Sequence, residues 1–150
     1  MSLSFTQGPA GLEFKSEIVT ITCTDALSKG NLVEFTLASE GFAACTKSTA
    51  AVNGPGVLMG IALEDVTAGS QGRIGVRGVF QATCDSEVAA GNALQASGDH
   101  AGNLDVASSP AGGGTTVTKV VGIALGASST DVDLTKVLFD GIGGISSQSL

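Results

Sequence analysis

Cys84-Asp85-Ser86-Glu87-Val88-Ala89-Ala90-Gly91-Asn92-Ala93-Leu94 lies without a gap on Cys23-Thr24-Asp25-Ala26-Leu27-Ser28-Lys29-Gly30-Asn31-Leu32-Val33, at an offset of 61 residues. The cysteine, the glycine and the asparagine are identical in the two copies, and Leu27 falls on Val88. Two further anchors follow in the same order. Gly60-Ile61-Ala62-Leu63 returns as Gly122-Ile123-Ala124-Leu125 at an offset of 62, with Leu58-Met59 matched by Val120-Val121. Ile74-Gly75-Val76-Arg77-Gly78 corresponds to Val137-Leu138-Phe139-Asp140-Gly141 at an offset of 63. Three anchors in one order, with so little drift, describe an internal repeat.

The repeated unit reads as β structure. In Ile18 to Cys23, the residues Val19, Ile21 and Cys23 alternate with Thr20 and Thr22, the period of a strand with one buried face. Ser28-Lys29-Gly30-Asn31 predicts a turn and Leu32 to Leu37 a second strand. Phe42 to Thr46 is a short third strand, and Lys47 to Gly56 a small polar loop. Val57 to Leu63 reads as a buried strand, Ala68 to Gly72 as a hairpin connection, and Arg73 to Gln81 as another strand. No stretch sustains the 3.6-residue period of a long helix.

The expected architecture is all-β: a small β-barrel or two-layer β-sandwich of about eight to ten strands, made from the duplicated strand–turn–strand unit, with an extended N-terminal arm. Residues 1–16 form the arm and residues 17–141 a single domain. Its two pseudo-repeats fall at about 17–81 and 82–141, and residues 142–150 are a tail. The Gly- and Ser-rich insert Gly98 to Thr118 is a surface loop of the second half. Neither half is expected to fold alone, because about 60 residues of small side chains give a marginal core.

Composition agrees. There are 22 glycines, 6 phenylalanines, no Trp and no Tyr, so small side chains and tight turns dominate. Net charge is −7 with only 7 basic residues, none clustered, which argues against direct nucleic-acid binding. Three cysteines without a CxxC pair are not a disulfide framework. Met1 to Ala10 lacks the basic and apolar regions of a secretory signal, and no segment reads as a membrane span. A cytoplasmic origin in a reducing compartment is expected.

Candidate chemistry is thin. His100, the one histidine, sits in a loop and reads as solvated, with no partner at the spacing of a triad and only distant carboxylates for a metal. Cys23 and Cys84 read as equivalent buried apolar residues. Asp131-Val132-Asp133-Leu134 alternates like an exposed strand edge and departs from the calcium-loop spacing. Gly54 to Gly60 lacks the spacing of a phosphate loop. Arg73 and Arg77, four apart on one strand, share a face; they either grip carboxylates of a partner or simply solvate that face. No cofactor or metal site is expected, and no acid–base or nucleophile constellation supports an enzyme.

Lys29-Gly30-Asn31-Leu32-Val33, Gly60-Ile61-Ala62-Leu63-Glu64-Asp65 and Val76-Arg77-Gly78-Val79-Phe80 together resemble the capsid decoration (cement) proteins of tailed bacteriophages, over roughly Ile18 to Phe139. The resemblance implies a small β-barrel protein on the outside of an icosahedral head that stabilises the shell. It implies the major capsid protein as partner, with self-association as a homotrimer in preference to a dimer, and a virion location after synthesis in the host cytoplasm. The Gly98 to Thr118 insert and the first 16 residues depart from the pattern. Phe5 and Phe14 in the arm, with Arg73 and Arg77, are the candidate interface residues. The competing reading is a virion β-domain that recognises a carbohydrate or receptor; the lack of Trp and Tyr for sugar stacking counts against it.

Overall fold

The computed structural model describes residues 16–39, 41–49, 57–107 and 119–143. Residues 1–15 of the arm with Phe5 and Phe14, the Gly54 to Gly56 segment, most of the 98–118 insert and residues 144–150 of the tail lie outside those residues. Among the described residues nine strands follow one another: β1 (Glu17–Thr22), β2 (Leu32–Ala38), β3 (Gly41–Lys47), β4 (Met59–Ala62), β5 (Gln71–Thr83), β6 (Ala93–Ala96), β7 (Leu104–Val106), β8 (Gly122–Ala124) and β9 (Leu134–Asp140). Among the described residues there is no helix, and hence none long and apolar enough to cross a membrane.

All nine strands belong to one sheet in the order β3-β2-β4-β5-β9-β8-β6-β7, with β1 also on β5. Of the two expected forms the barrel-like one fits: among the described residues β3 and β7 end the order, and the single sheet curls into an open half-barrel. The extra length of β5 explains the single sheet. Its first part pairs with β1 (Thr22↔Gln71 to Glu17↔Arg77) and its second with β9 (Arg77↔Asp140 to Thr83↔Leu134). One strand thus runs through both halves. Its alternation is broken by a bulge between Gly75 and Arg77, so Ile74 and Val76 pack with Val33 and Ala62 while Phe80 and Ala82 pack with Leu32 and Ile61.

Corresponding residues make corresponding pairs. Val19↔Ile74 in the first half matches Phe80↔Val137 in the second. Ala62↔Ile74 matches Ala124↔Val137. The Gly-Asn turns are built alike. Gly30 and Gly91 take φ of 94° and 90°, a region costly for side chains with a Cβ. Their N–H groups donate to Ala62 O (2.8 Å) and Ala124 O (2.7 Å). Asn31 Oδ1 accepts from Ser28 N (2.9 Å) as Asn92 Oδ1 accepts from Ala89 N (2.7 Å), which holds each turn from the side chain.

Two apolar clusters form. One contains Ile21, Cys23, Val33, Phe35, Cys45, Ala62, Ile74 and Val76, all from the first half. The other gathers Phe80, Leu94, Leu104, Val137 and Phe139 with Leu32, Met59 and Ile61 from the first half. Neighbours Leu32 and Val33 point to different clusters, as do Ile61 and Ala62. Strands covered on both faces read as continuous apolar runs, which is why β4 is buried throughout. Leu32, Met59 and Ile61 are fully buried, and such a burial is worth about 1.5–3 kcal/mol per side chain. Much of the second cluster would be uncovered if the halves parted.

Two local expectations are corrected. Leu104–Val106 of the 98–118 insert is a strand, held by Leu94↔Val106 and Ala96↔Leu104. Asp131 to Asp133 is a turn rather than a strand edge, and the strand begins at Leu134. The carboxylate of Asp133 makes that turn: Oδ2 accepts from Ser129 N (2.8 Å) and Thr130 N (3.0 Å), and Oδ1 accepts from Thr130 Oγ1 (2.8 Å). Aspartates alternating with apolar residues mimic a strand when side chains bond back to the backbone.

Candidate functional site

Of the four candidate interface residues, two are described. Arg73 and Arg77 do not share a face as their spacing predicts: a bulge in β5, where Ile18 pairs with Gly75 but Glu17 pairs with Arg77, turns them to opposite sides of the sheet, and each already holds a carboxylate of its own chain. Arg73 Nε is 3.5 Å from Glu64 Oε1, and the Arg73 N–H donates to Glu64 Oε2 at 3.1 Å. Arg77 Nε donates to Asp140 Oδ2 at 3.2 Å and Nη1 donates to Glu17 at 3.3 Å. Asp140 Oδ1 also accepts from Ile142 N and Gly143 N, at 3.1 and 2.9 Å. Burial pushes the Asp140 carboxyl up, but the Gly143 N–H, Arg77 and the Ile142 N–H outweigh it and hold the group below its usual range. Exposed ion pairs contribute little in water, so a partner's carboxylate can replace Glu64 or Glu17 at small cost, whereas Asp140 is half-buried and held by two further N–H groups.

The structure corrects the reading of His100 as lacking nearby carboxylates. Its Nδ1 is 3.1 Å from Asp85 Oδ1 and its Nε2 is 3.9 Å from Asp131 Oδ2. The three donor atoms lie within 4.8 Å of one another, although 15 and 31 residues separate His100 from the two aspartates. Asp85 is buried and well held: Ser97 Oγ donates to its Oδ2 at 2.6 Å and Asn103 Nδ2 to its Oδ1 at 2.7 Å. Ser86 N donates to Asp131 Oδ1 at 2.8 Å. A cleft of about 170 Å³ contains Asp85, Glu87, Asp99, Asp105 and Asp131 around the imidazole. The hydrogen bond to the Asp85 carboxylate and the surrounding charges raise the His100 pKa. The order of contacts is wrong for nucleophilic catalysis. The Ser97 hydroxyl lies against the carboxylate, not against the imidazole that would have to take its proton. What the cluster does is tie the β6–β7 turn to the turns after β5 and before β9.

Two features escaped the sequence reading. Cys23 and Cys84 are both fully buried, as expected of equivalent core positions. However, Cys23 forms a parallel bridge with Cys45, where Cys84 forms the same bridge with Leu104. Cys45 Sγ is 3.4 Å from Cys23 Sγ. Burial pushes the Cys45 thiol up to about 12, and the Cys84 thiol up to about 11. The other feature is Lys119, a buried lysine whose Nζ donates to the carbonyls of Val57, Gly141 (2.8 Å) and Ile142 (3.2 Å). Burial lowers its pKa. A single lysine after a Thr-rich segment carries no periodic signal that would place it inside.

No protein-family model matches the sequence, and no curated protein matches it. Among solved structures, the chain is similar to the N base of the head fibre gp8.5 of bacteriophage phi29. The likeness covers 89% of this chain and 100% of that one, with a TM-score of 0.54 and 15% sequence identity. At that identity the likeness is one of fold.

Proposed function

We propose that this chain is a structural protein of a tailed-bacteriophage virion that binds the outer surface of the head and stabilises the shell. The observation that carries the reading is the likeness of fold to a phage head-fibre base along nearly the whole chain. The decoration-protein resemblance of its three motifs points the same way. The reading includes the major capsid protein as partner, self-association as a trimer in preference to a dimer, synthesis in the host cytoplasm, and no enzymatic activity. Many copies on a symmetric lattice let small contacts add up, and a closed cluster fits a local axis of the shell.

The reading also includes duplication of a single unit. Matched pairs such as Val19↔Ile74 and Phe80↔Val137, and the two alike Gly-Asn turns, support it. On this reading the junction falls inside β5, near Arg77, where pairing passes from β1 to β9. Arg73 and Arg77 contact the shell by exchanging Glu64 and Glu17 for carboxylates of the capsid protein, and residues 1–16 lie across a neighbouring capsomer.

Titration of purified protein onto expanded heads lacking it tests the reading. Saturable binding that raises the melting temperature of the heads is expected. Deletion of residues 1–16 abolishes binding, and Arg73→Ala with Arg77→Ala weakens it. Heads that bind none of the intact protein overturn the reading, and saturable binding to a glycan array in its place favours the receptor-binding alternative. Full occupancy by the truncated chain removes the role of the arm alone.

A further inference from the structure

We propose that Cys23 and Cys45 are a latent cross-link site, closed by a disulfide when the chain meets an oxidising medium. The geometry requires little. Neighbouring strands lie about 4.7–4.9 Å apart, inside the window of roughly 4.4–6.8 Å between Cα atoms that a disulfide spans. The two residues form a strand bridge and their side chains already face each other, with the sulfurs at 3.4 Å. Closing to a bond of about 2.05 Å asks for a shift of roughly 1.4 Å shared between two side chains. No other pair among the three cysteines offers this, because the partner of Cys84 is Leu104.

The oxidant is a small disulfide such as oxidised glutathione. The thiolate of one cysteine attacks it, its S–S bond breaks, and one glutathione leaves as a thiol. The second cysteine then attacks the mixed disulfide and the second glutathione leaves. One S–S bond is lost and one is formed; the two protein thiols lose two electrons and two protons, and two glutathione thiols gain them. Both thiols are buried, and burial holds Cys45 in its unreactive protonated form, so the folded chain reacts slowly. Closure is fast during folding or when β3, a terminal strand of the sheet, opens locally. The bond then pins β3 to the end of β1 and keeps that edge from fraying. The cross-link needs nothing of the virion reading. Its timing, after release from a reducing cytoplasm, rests on that reading, and the thiol count is independent of head binding.

The test uses the full wild-type chain, unfolded and reduced, then refolded in a buffer of oxidised and reduced glutathione. Trypsin cleaves after Lys15, Lys29 and Lys47, so Cys23 and Cys45 fall in separate peptides, 16–29 and 30–47, and Cys84 in a third. The expected product is a monomer in which the first two peptides are joined, two mass units lighter than their sum, with one free thiol left of three. Its melting temperature rises by roughly 5–10 °C over the reduced protein. Amides of Gly41–Lys47 exchange more slowly. Three free thiols after refolding, or a bond that involves Cys84, overturn the proposal. Cys84→Ala leaves the joined peptides unchanged if the proposal holds.

Discussion

Replacing Gly122 by alanine tests the close packing of β8 on β9. A Cβ there meets Val137 Cγ1 at 2.8 Å and the Leu138 carbonyl oxygen at 2.9 Å. Ordinary contacts between carbon atoms lie at about 3.5–4.0 Å, so each neighbour must retreat by roughly 0.6–0.7 Å. Val137 is fully buried and Leu138 pairs with Ile123 in the ladder, so neither retreats freely. Overpacking of this kind costs about 1–3 kcal/mol, and alanine's smaller unfolded-state freedom returns about 0.4–1 kcal/mol. The net loss centres on about 1.3 kcal/mol, with an upper end of about 2.6 kcal/mol. Nearby Gly126 is the control: its added Cβ has a single contact, Thr135 Cγ2 at 3.7 Å, an ordinary distance. Gly126→Ala is expected to be neutral or to gain up to about 1 kcal/mol. Urea unfolding of both variants, with the slope held in common, measures the difference. If Gly122→Ala is as stable as Gly126→Ala, the close approach of β8 and β9 is wrong. Gly60 faces Ile74 and the Gly75 carbonyl in the corresponding way, and Gly60→Ala is expected to lose at least as much.

Lys119→Met keeps the length of the side chain and removes its hydrogen bonds to three carbonyls; a loss of about 1–3 kcal/mol is expected, near the lower end because no ammonium is then buried. An unchanged urea midpoint would refute the role of Lys119 as a tie. His100 has a folded-state pKa raised above its ordinary 6.5 by the Asp85 hydrogen bond and by Asp85, Asp131 and Asp99. Its stabilisation is thus complete below about pH 6.5 and fades as pH rises through the raised value. The melting temperature of wild type minus that of His100→Gln should be positive near pH 6 and shrink toward pH 9; a flat difference excludes the link to Asp85. Asp133 is held down to about 2, first by the Ser129 N–H, against an ordinary 3.8. Its contribution is present above that ordinary value and is lost as pH falls toward about 2. Carboxyl NMR titration reads it directly, and a midpoint near 3.8 removes the cap.

The strands that alternate or run apolar were legible: β1, β2, β4 and β5 lie where the Thr-alternating and Val- and Ile-rich runs predicted them. The Gly-Asn turns were legible too, because only glycine takes φ near 90° without strain and the asparagine amide holds the turn. What failed has physical reasons. β7 is three residues long, inside a segment of Gly, Ser and Asn, so it forms by pairing with β6 rather than by local preference. Asp131 to Asp133 alternates for the sake of a turn. The contacts of His100 with Asp85 and of Cys23 with Cys45 join residues brought together only by the sheet. Neither pair has a spacing that a sequence pattern records. One clue was available for the thiols: the repeat matches Cys23 with Cys84, so the partner of each should differ, and Cys45 was the one cysteine without a counterpart.

Several buried positions of residues 17–77 have counterparts in residues 78–140, while net charge differs between the two stretches. The matched glycines, Gly60 and Gly122, meet matched neighbours, Ile74 and Val137. Arg73 and Lys136 match in charge and exposure, but the overall charge does not. Residues 17–77 hold four basic and six acidic side chains, and residues 78–140 hold two and seven, giving −2 and −5. Both arginines belong to the first set, and the acidic cleft around His100 to the second. Arg77 and Asp140 occupy corresponding positions with opposite charge, and they pair with each other. On the proposed virion reading, a shell that recognised both halves equally would have Arg73 and Lys136 as the matched outward charges to read. The two arginines instead favour docking through the first half, where they can exchange Glu64 and Glu17 at little cost. The second half then faces outward or toward neighbouring copies, and its larger negative charge limits association of free chains away from the head.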